Sequence, residues 1–225
     1  MVDEYEVEAV EQPRPAPRGK AWYALPFLLI AAVIGGEIAA VLALNDNVFT
    51  YAIDDPYIHM ALSESLAKLH YGINMEEASA PSSSILWPFL LAPFAPTPIH
   101  EYVPLAINIL ATMGSAALLL ALLLRAGLAR AAHGPMLAAL LVSVAVLGMN
   151  LLPIVFVGLE HCLQVFLILL IVHGLAVFLE EGRIPWYLVL AIVLGPILRY
   201  EIAAVSGAAI LVLLLRRRFL APILS

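Results

Sequence analysis

With 63% hydrophobic and 12% charged residues over 225 positions, and a mean hydropathy of +0.99, the chain is too apolar for a soluble domain with a polar shell. Its formal net charge of −6 comes largely from an acidic run in the first dozen residues and carries little functional information. The single cysteine, Cys162, excludes an internal disulfide and a metal site built from cysteines alone. The composition therefore predicts an integral membrane protein.

The N-terminal segment differs in composition from the rest of the chain. Residues 1–20 combine acidic residues with prolines interleaved among basic ones, which is typical of a disordered cytoplasmic tail. The apolar run over residues 22–44 is longer than the core of a signal peptide and lacks a small-residue cleavage site at its end. It is therefore predicted to stay as the first membrane-spanning helix.

Prolines divide the next apolar stretch, which is too long for one helix. We predict a short membrane-dipping helix over residues 85–94 and a second span over residues 102–124. The further predicted spans cover residues 135–157, 162–179, 185–198 and 202–215, of which the last two are short and form a hairpin. The chain is thus expected to be an all-α membrane protein with about six transmembrane helices.

The positive charges orient these spans. In this topology, nine of the eleven Lys and Arg residues lie on one side, which the positive-inside rule assigns to the cytoplasm. Only Lys68 and Arg199 fall on the other side, where the polar motifs at residues 54–55, 160–161 and 199–201 also lie. We therefore expect a multi-pass protein of the cytoplasmic (inner) membrane whose polar site faces outward.

The first outer loop carries a predicted interfacial helix that begins next to a carboxylate pair. Pro56 suits the first helical position and Asp55 suits the N-cap before it. An amphipathic helix along the outer membrane surface would turn a stripe of apolar residues toward lipid or the bundle, namely Ile58, Leu62, Leu66 and Leu69. Capping alone would account for Asp55, whereas Asp54 is free to act as a general base, and the pair also offers oxygen ligands to a divalent cation.

Other polar residues allow more than one interpretation. Arg199 and Glu201 lie between two apolar segments, where they either seal a hairpin turn as an ion pair or present a guanidinium that grips a phosphate. Glu160 is either a solvated loop acid or part of the site. His59 and His70 are expected at the membrane interface rather than as metal ligands.

Four short motifs, taken in order, resemble the GT-C superfamily of polytopic glycosyltransferases. They are Asp-Asp-Pro-Tyr-Ile at residues 54–58, Ser-Ser-Ser-Ile-Leu-Trp at 82–87, Gly-Leu-Glu at 158–160 and Arg-Tyr-Glu at 199–201. The last two are similar to motifs of its bacterial arabinofuranosyl- and mannosyltransferase-like branches. The resemblance covers about residues 22–215. Because such enzymes generally have more spans, it implies that residues 21–225 form an incomplete, N-terminal part of a GT-C-like module.

The resemblance implies transfer of a sugar from a polyprenyl-phosphate donor to a glycan, lipid or protein acceptor outside the membrane, with inversion at the anomeric carbon. Asp54 would be the catalytic base or, with Asp55, a ligand of a divalent metal, which is the only cofactor expected. Arg199 would lie near the lipid phosphate. The other candidates for substrate binding are Glu160, Glu201 and Trp87, the last in a segment that grips the polyprenyl tail. Membrane lipid is an expected partner and nucleic acid is not.

Two other classes of protein share parts of this pattern. A transporter or flippase half also uses short, broken helices that meet at charged residues. Against that class, the sequence has no internal repeat and its charges cluster at one interface rather than at a central site. A non-catalytic membrane scaffold subunit is the other alternative.

Overall fold

A computed structural model describes residues 19–74, 79, 81–131 and 133–220, with side chains to Arg216, and all regular structure within these ranges is helical. The predicted tail, apart from its last two residues, lies outside the described residues. The α-helices are α1 (Leu25–Leu44), α2 (Asp55–Ala67), α3 (Leu86–Leu91), α4 (Val103–Arg125), α5 (Gly134–Gly148), α6 (Leu151–Val155), α7 (His161–Glu181), α8 (Trp186–Leu198) and α9 (Ile202–Leu220).

Three helical segments in the described part of the chain are long and apolar enough to cross a membrane. They are Lys20–Leu44, His100–Arg125 and His161–Glu181. The other apolar helices, Gly134–Gly148, Trp186–Leu198 and Ile202–Arg216, are shorter. The 15 residues of α5, for example, rise about 22 Å, less than the roughly 30 Å of a hydrocarbon core. The protein is therefore all-helical with membrane-spanning features, and the lengths support three spans directly.

The predicted third span is broken near its end. Residues 135–157 were expected to form one helix, but α5 stops at Gly148 and the short α6 begins only at Leu151. Asn150 between them has a left-handed backbone conformation with φ of +56°, which interrupts helical hydrogen bonding. The prediction of a continuous helix is wrong here, because a periodic apolar run does not reveal a single residue that leaves the helical region.

The later helices pack against one another and against α4. Helix α7 packs against both α4 and α8, and α8 packs against α9. At Gly174 a Cβ atom would come within 2.7 Å of the Leu188 side chain, so this glycine allows α7 and α8 to approach closely. The hydrophobic core lies between these helices and includes the fully buried Ile171, Leu188 and Ile202.

The bundle has two chemically different ends. At one, the Arg125 end, the guanidinium of Arg125 binds the carboxylates of Glu180 and Glu181. Arg216 donates to the carbonyl oxygen of Leu179 at 3.2 Å at the same end. The opposite end, here the Glu160 end, gathers the described segments 45–74, 81–102, 149–160 and 199–201. The polar motifs at residues 54–55, 160–161 and 199–201 thus lie at one end of the bundle.

Candidate functional site

An arginine held between two carboxylates lies at the centre of the Glu160 end. Arg199 Nη1 is 3.0 Å from Glu160 Oε1, and its Nη2 is 2.7 Å from Glu201 Oε1. Arg199 Nε also donates to Glu201 Oε2 at 3.1 Å. These hydrogen bonds raise the pKa of Arg199, and the bond to Glu201 makes the largest contribution. The bond from Arg199 lowers the pKa of Glu201. The guanidinium of Arg199 and the carboxylate of Glu201 are therefore charged near neutral pH.

Glu160 is the most deeply buried member of this cluster. Its side chain is 1% exposed, whereas that of Arg199 is 17% and that of Glu201 is 40% exposed. Oε1 receives the bond from Arg199, but Oε2 has no hydrogen-bond partner among the described residues. The interpretation of Glu160 as a solvated loop acid is wrong, since the start of α7 lies beneath the segments that precede α2 and α9.

Gly158 explains how the loop bearing Asp54 and Asp55 reaches Glu160. It has a φ of +71°, and a Cβ atom there would lie 2.6 Å from the Tyr51 ring and 2.7 Å from Pro56. Only glycine tolerates both the conformation and the contact. A backbone hydrogen bond of 3.0 Å from Ala52 to the Phe156 carbonyl joins the same two segments. The Gly-Leu-Glu motif therefore packs directly against the segment that carries the acidic pair.

The carboxylate pair lies at the start of α2, and both residues are exposed. Helix α2 begins at Asp55, so Asp54 occupies the N-cap position and its side chain makes no capping hydrogen bond. The first turn is instead closed by the Tyr57 amide, which donates to the Asp54 carbonyl at 3.0 Å. The prediction that Asp55 is the N-cap is therefore wrong by one residue.

The buried face of α2 is more polar than predicted. In this 13-residue helix it comprises Pro56, His59, Met60, Leu62, Ser63 and Ser65. Of the predicted apolar stripe, Leu62 is buried, whereas Ile58 and Leu69 are 36% and 98% exposed. These polar residues can be buried because they have hydrogen-bond partners. Ser63 Oγ, for instance, is 2.8 Å from His100 Nε2.

His59 is the residue of this site that the sequence analysis missed. It was expected at the membrane interface, but only 6% of it is exposed, and its Nδ1 is 3.1 Å from Ser82 Oγ. Burial lowers the pKa of His59, the nearby Glu160 and Asp55 carboxylates oppose that shift, and His161 adds to it. The available signal was spacing, since His59 follows Asp55 by four residues and so shares its helical face.

The serine-rich motif links the first outer loop to the other segments. Ser83 Oγ is 3.5 Å from Arg199 Nη1, and Ser84 Oγ accepts a hydrogen bond of 3.1 Å from the Trp87 amide at the start of α3. Trp87 itself is fully buried, and its indole nitrogen has no partner among the described residues. Contact between this ring and a polyprenyl tail, which stays a prediction, would require α3 to move.

The geometry restricts how a metal ion could be held. Within the described ranges, no three His, Cys, Asp or Glu side chains are arranged to hold one. Asp54 and Asp55 provide two exposed carboxylates. That number fits a magnesium-like ion that completes its coordination shell with water and substrate phosphate, but not a closed structural site.

The structure thus brings Glu160, Arg199, Glu201 and His59 together and places Asp54 and Asp55 at the same end of the bundle. These features define the class as a protein that is helical throughout its described residues, with three helices long and apolar enough to cross a membrane and an acidic polar cluster at one end. Comparison with protein-family models, curated proteins and solved structures finds no match to this chain.

Proposed function

We propose that this chain is part of a GT-C-type glycosyltransferase, which moves a sugar from polyprenyl phosphate to an acceptor hydroxyl at the Glu160 end of the bundle. One observation carries the proposal: a carboxylate pair and a buried, arginine-bound glutamate share one end of an apolar helical bundle. A lipid-linked sugar has the complementary form, because its tail requires apolar helices and its headgroup requires polar side chains at their ends.

In this proposal the shorter helices α5, α8 and α9 cross the membrane together with the three long segments, giving six spans. The Arg125 end faces the cytoplasm, as the positive-inside rule favours, and the Glu160 end faces outward. Helix α2 lies along the outer surface of the membrane. The exposed Ile58 of α2, and Leu69 just after the end of that helix, would then contact lipid headgroups and acyl chains.

The proposed reaction is an inverting displacement. Asp54, which is exposed, accepts the proton of the acceptor hydroxyl. The acceptor oxygen forms a bond to the anomeric carbon while the bond from that carbon to the phosphate oxygen breaks. Polyprenyl phosphate is the leaving group and carries away the electron pair of that bond.

The charge of the site bears on how phosphate would bind. Glu160, Arg199 and Glu201 together have a net charge of −1, and Asp54 and Asp55 make this end still more negative. A phosphate near Arg199 would be repelled by these carboxylates unless a cation offset them. In the alternative role, Asp54 is not the base but would hold a divalent metal together with Asp55, and that ion would neutralise charge on the departing phosphate.

The test uses the full 225-residue chain in proteoliposomes that contain a polyprenyl-phosphate-linked sugar, with glycosylated product measured by mass spectrometry. We expect Asp54→Asn to lower transfer by about 100-fold or more, since general-base catalysis contributes on that order. Asp46→Asn, an exposed aspartate of the same loop, is the matched control and should transfer normally.

The outcomes separate the proposal from its alternatives. Undiminished transfer by Asp54→Asn would refute the role of Asp54. Movement of the donor between leaflets without product would support a transporter or flippase half instead. A chain that neither transfers nor moves the donor, and does not bind it, would be better described as a scaffold subunit.

A further inference from the structure

A short hydrogen-bond chain determines which nitrogen of His59 carries the proton. Ser82 Oγ lies 2.6 Å from the Ser84 carbonyl oxygen, to which it must donate because a carbonyl can only accept. A serine hydroxyl has one hydrogen, so none is left for His59 Nδ1 at 3.1 Å. Nδ1 must therefore be protonated and donate to Ser82 Oγ.

The other ring nitrogen is consequently an acceptor. A neutral imidazole with hydrogen on Nδ1 has its lone pair on Nε2. His59 Nε2 makes no hydrogen bond within the part of the chain that the structure describes. The neutral form is favoured because burial lowers the pKa of His59. His161 lowers this pKa further, whereas Glu160 and Asp55 raise it.

A second acceptor lies beside this ring. Glu160 Oε2 is buried and has no partner among the described residues, and the Glu160 carboxylate is close enough to His59 to act on it electrostatically. Ser82 contacts His59, and the adjacent Ser83 contacts Arg199, the partner of Glu160. Buried polar atoms are normally paired, so a buried carboxylate oxygen without a partner in this cluster is an unusual arrangement. The two atoms together lack hydrogen-bond donors.

We propose that His59 Nε2 and Glu160 Oε2 form a subsite that accepts hydrogen bonds from hydroxyl groups of a sugar. The identification of the ligand as a sugar rests on the proposed function. An ionised phosphate or carboxylate brings no donors, and the donors of Arg199 are already directed to Glu160 and Glu201. In this arrangement Arg199 is a positioning residue that holds Glu160 Oε1 and leaves Oε2 toward the sugar.

The first experiment measures the tautomer of His59 in the full chain, purified in detergent micelles and labelled with ¹⁵N-histidine. Long-range ¹H–¹⁵N correlation spectra should show Nδ1 protonated and Nε2 unprotonated, with the signals assigned by their loss in His59→Gln. Ser82→Ala should remove the preference for this tautomer. A hydrogen on Nε2 in the unmodified chain would overturn the subsite.

The second experiment adds soluble methyl glycosides to the same sample. We expect His59 Nε2 to shift with the glycosides but not with their per-O-methylated forms, which keep the ring but have no hydroxyl hydrogen. Glu160→Gln should weaken this binding by about tenfold, the effect of losing a hydrogen bond to a charged group. Glu64→Gln is the matched control and should bind normally, because Glu64 lies on α2 with His59 but its carboxylate faces His100.

Equal shifts from the methylated glycosides, no shift from any glycoside, or normal binding by Glu160→Gln would each overturn the subsite. These results are independent of transfer. The expected tautomer with hydroxyl-dependent binding, in a chain that transfers no sugar, would support the subsite and reject the proposed enzyme. Sugar transfer by a chain with hydrogen on His59 Nε2 would support the proposed enzyme and reject the subsite.

Discussion

Replacement of Arg199 by methionine tests the central cluster, and we expect it to destabilise the protein by about 3 kcal/mol. The variant removes the hydrogen-bond partner of a carboxylate whose side chain is only 1% exposed. Breaking a buried ion pair by removing one partner costs about 3–5 kcal/mol. The lower value applies here because Arg199 itself is 17% exposed, so water can partly solvate the charge left on Glu160.

Arg125→Met is a matched control at the other end of the bundle. Arg125 is also bound by two carboxylates, those of Glu180 and Glu181, but these side chains are 49% and 37% exposed. Exposed pairs contribute about 0–1 kcal/mol. The two variants lose the same side chain and the same number of ionic partners. Glu181 also binds Arg183, so the comparison is between a buried carboxylate left without a partner and exposed carboxylates that need none.

The assay is thermal unfolding of the purified chain in detergent. For a chain of this size about 1 kcal/mol corresponds to roughly 2–4 °C, so Arg199→Met should lower Tm by about 6–12 °C and Arg125→Met by less than about 4 °C. The double variant Arg199→Met/Glu160→Gln should recover much of the loss, because no buried charge remains. Equal effects of the two single variants, or no recovery in the double variant, would refute the reasoning.

Further variants test how the Glu160 end is assembled. Gly158→Ala should lower the free energy of unfolding by about 1–3 kcal/mol, because Gly158 has a positive φ. Gly36→Ala, with no atom near the added Cβ, should lower Tm little. Equal losses in Tm from the two variants would contradict the argument from the conformation of Gly158. Tyr51→Phe should lower the free energy of unfolding by about 1–3 kcal/mol, because the Tyr51 hydroxyl donates a hydrogen bond of 2.6 Å to the Glu101 carbonyl oxygen. An unchanged Tm would show that this hydrogen bond does not stabilise the protein. Glu37→Leu should make the free energy of membrane insertion of α1 more favourable by about 2–3 kcal/mol in a translocon assay. The reason is that Oε2 of Glu37 has no partner among the described residues. Unchanged insertion would place Glu37 outside the apolar region.

The positions of the helices could be predicted because they depend on local sequence. Apolar runs bounded by prolines, glycines and charged residues predicted helices close to α1, α4, α7, α8 and α9. The common end of the acidic motifs followed from the alternation of those helices. Both inferences need only neighbouring residues and the direction of the chain.

Side-chain burial at the site could not be predicted, because it depends on contacts between distant parts of the chain. Glu160 resembles a loop acid in sequence, and only its contact with Arg199, 39 residues later, shows that it is buried and paired. His59 is a similar case, since Ser82, 23 residues away, supplies the partner that allows a polar ring to be buried. Ile58 is exposed whereas Leu62 is buried, so the periodicity did not show which residues of the stripe contact the bundle.

The two arginine clusters show that ion pairing alone does not distinguish the two ends of this bundle. Arg125 and Arg199 each bind two carboxylates, yet the clusters differ in what surrounds them. Near Arg199, the buried Oε2 of Glu160 has no partner among the described residues, and exposed carboxylates lie at the start of α2. Near Arg125, neither bound carboxylate has a buried atom without a partner among the described residues. Unsatisfied acceptors, rather than charge, therefore distinguish the end of the bundle where a hydroxyl-bearing ligand would gain most by binding.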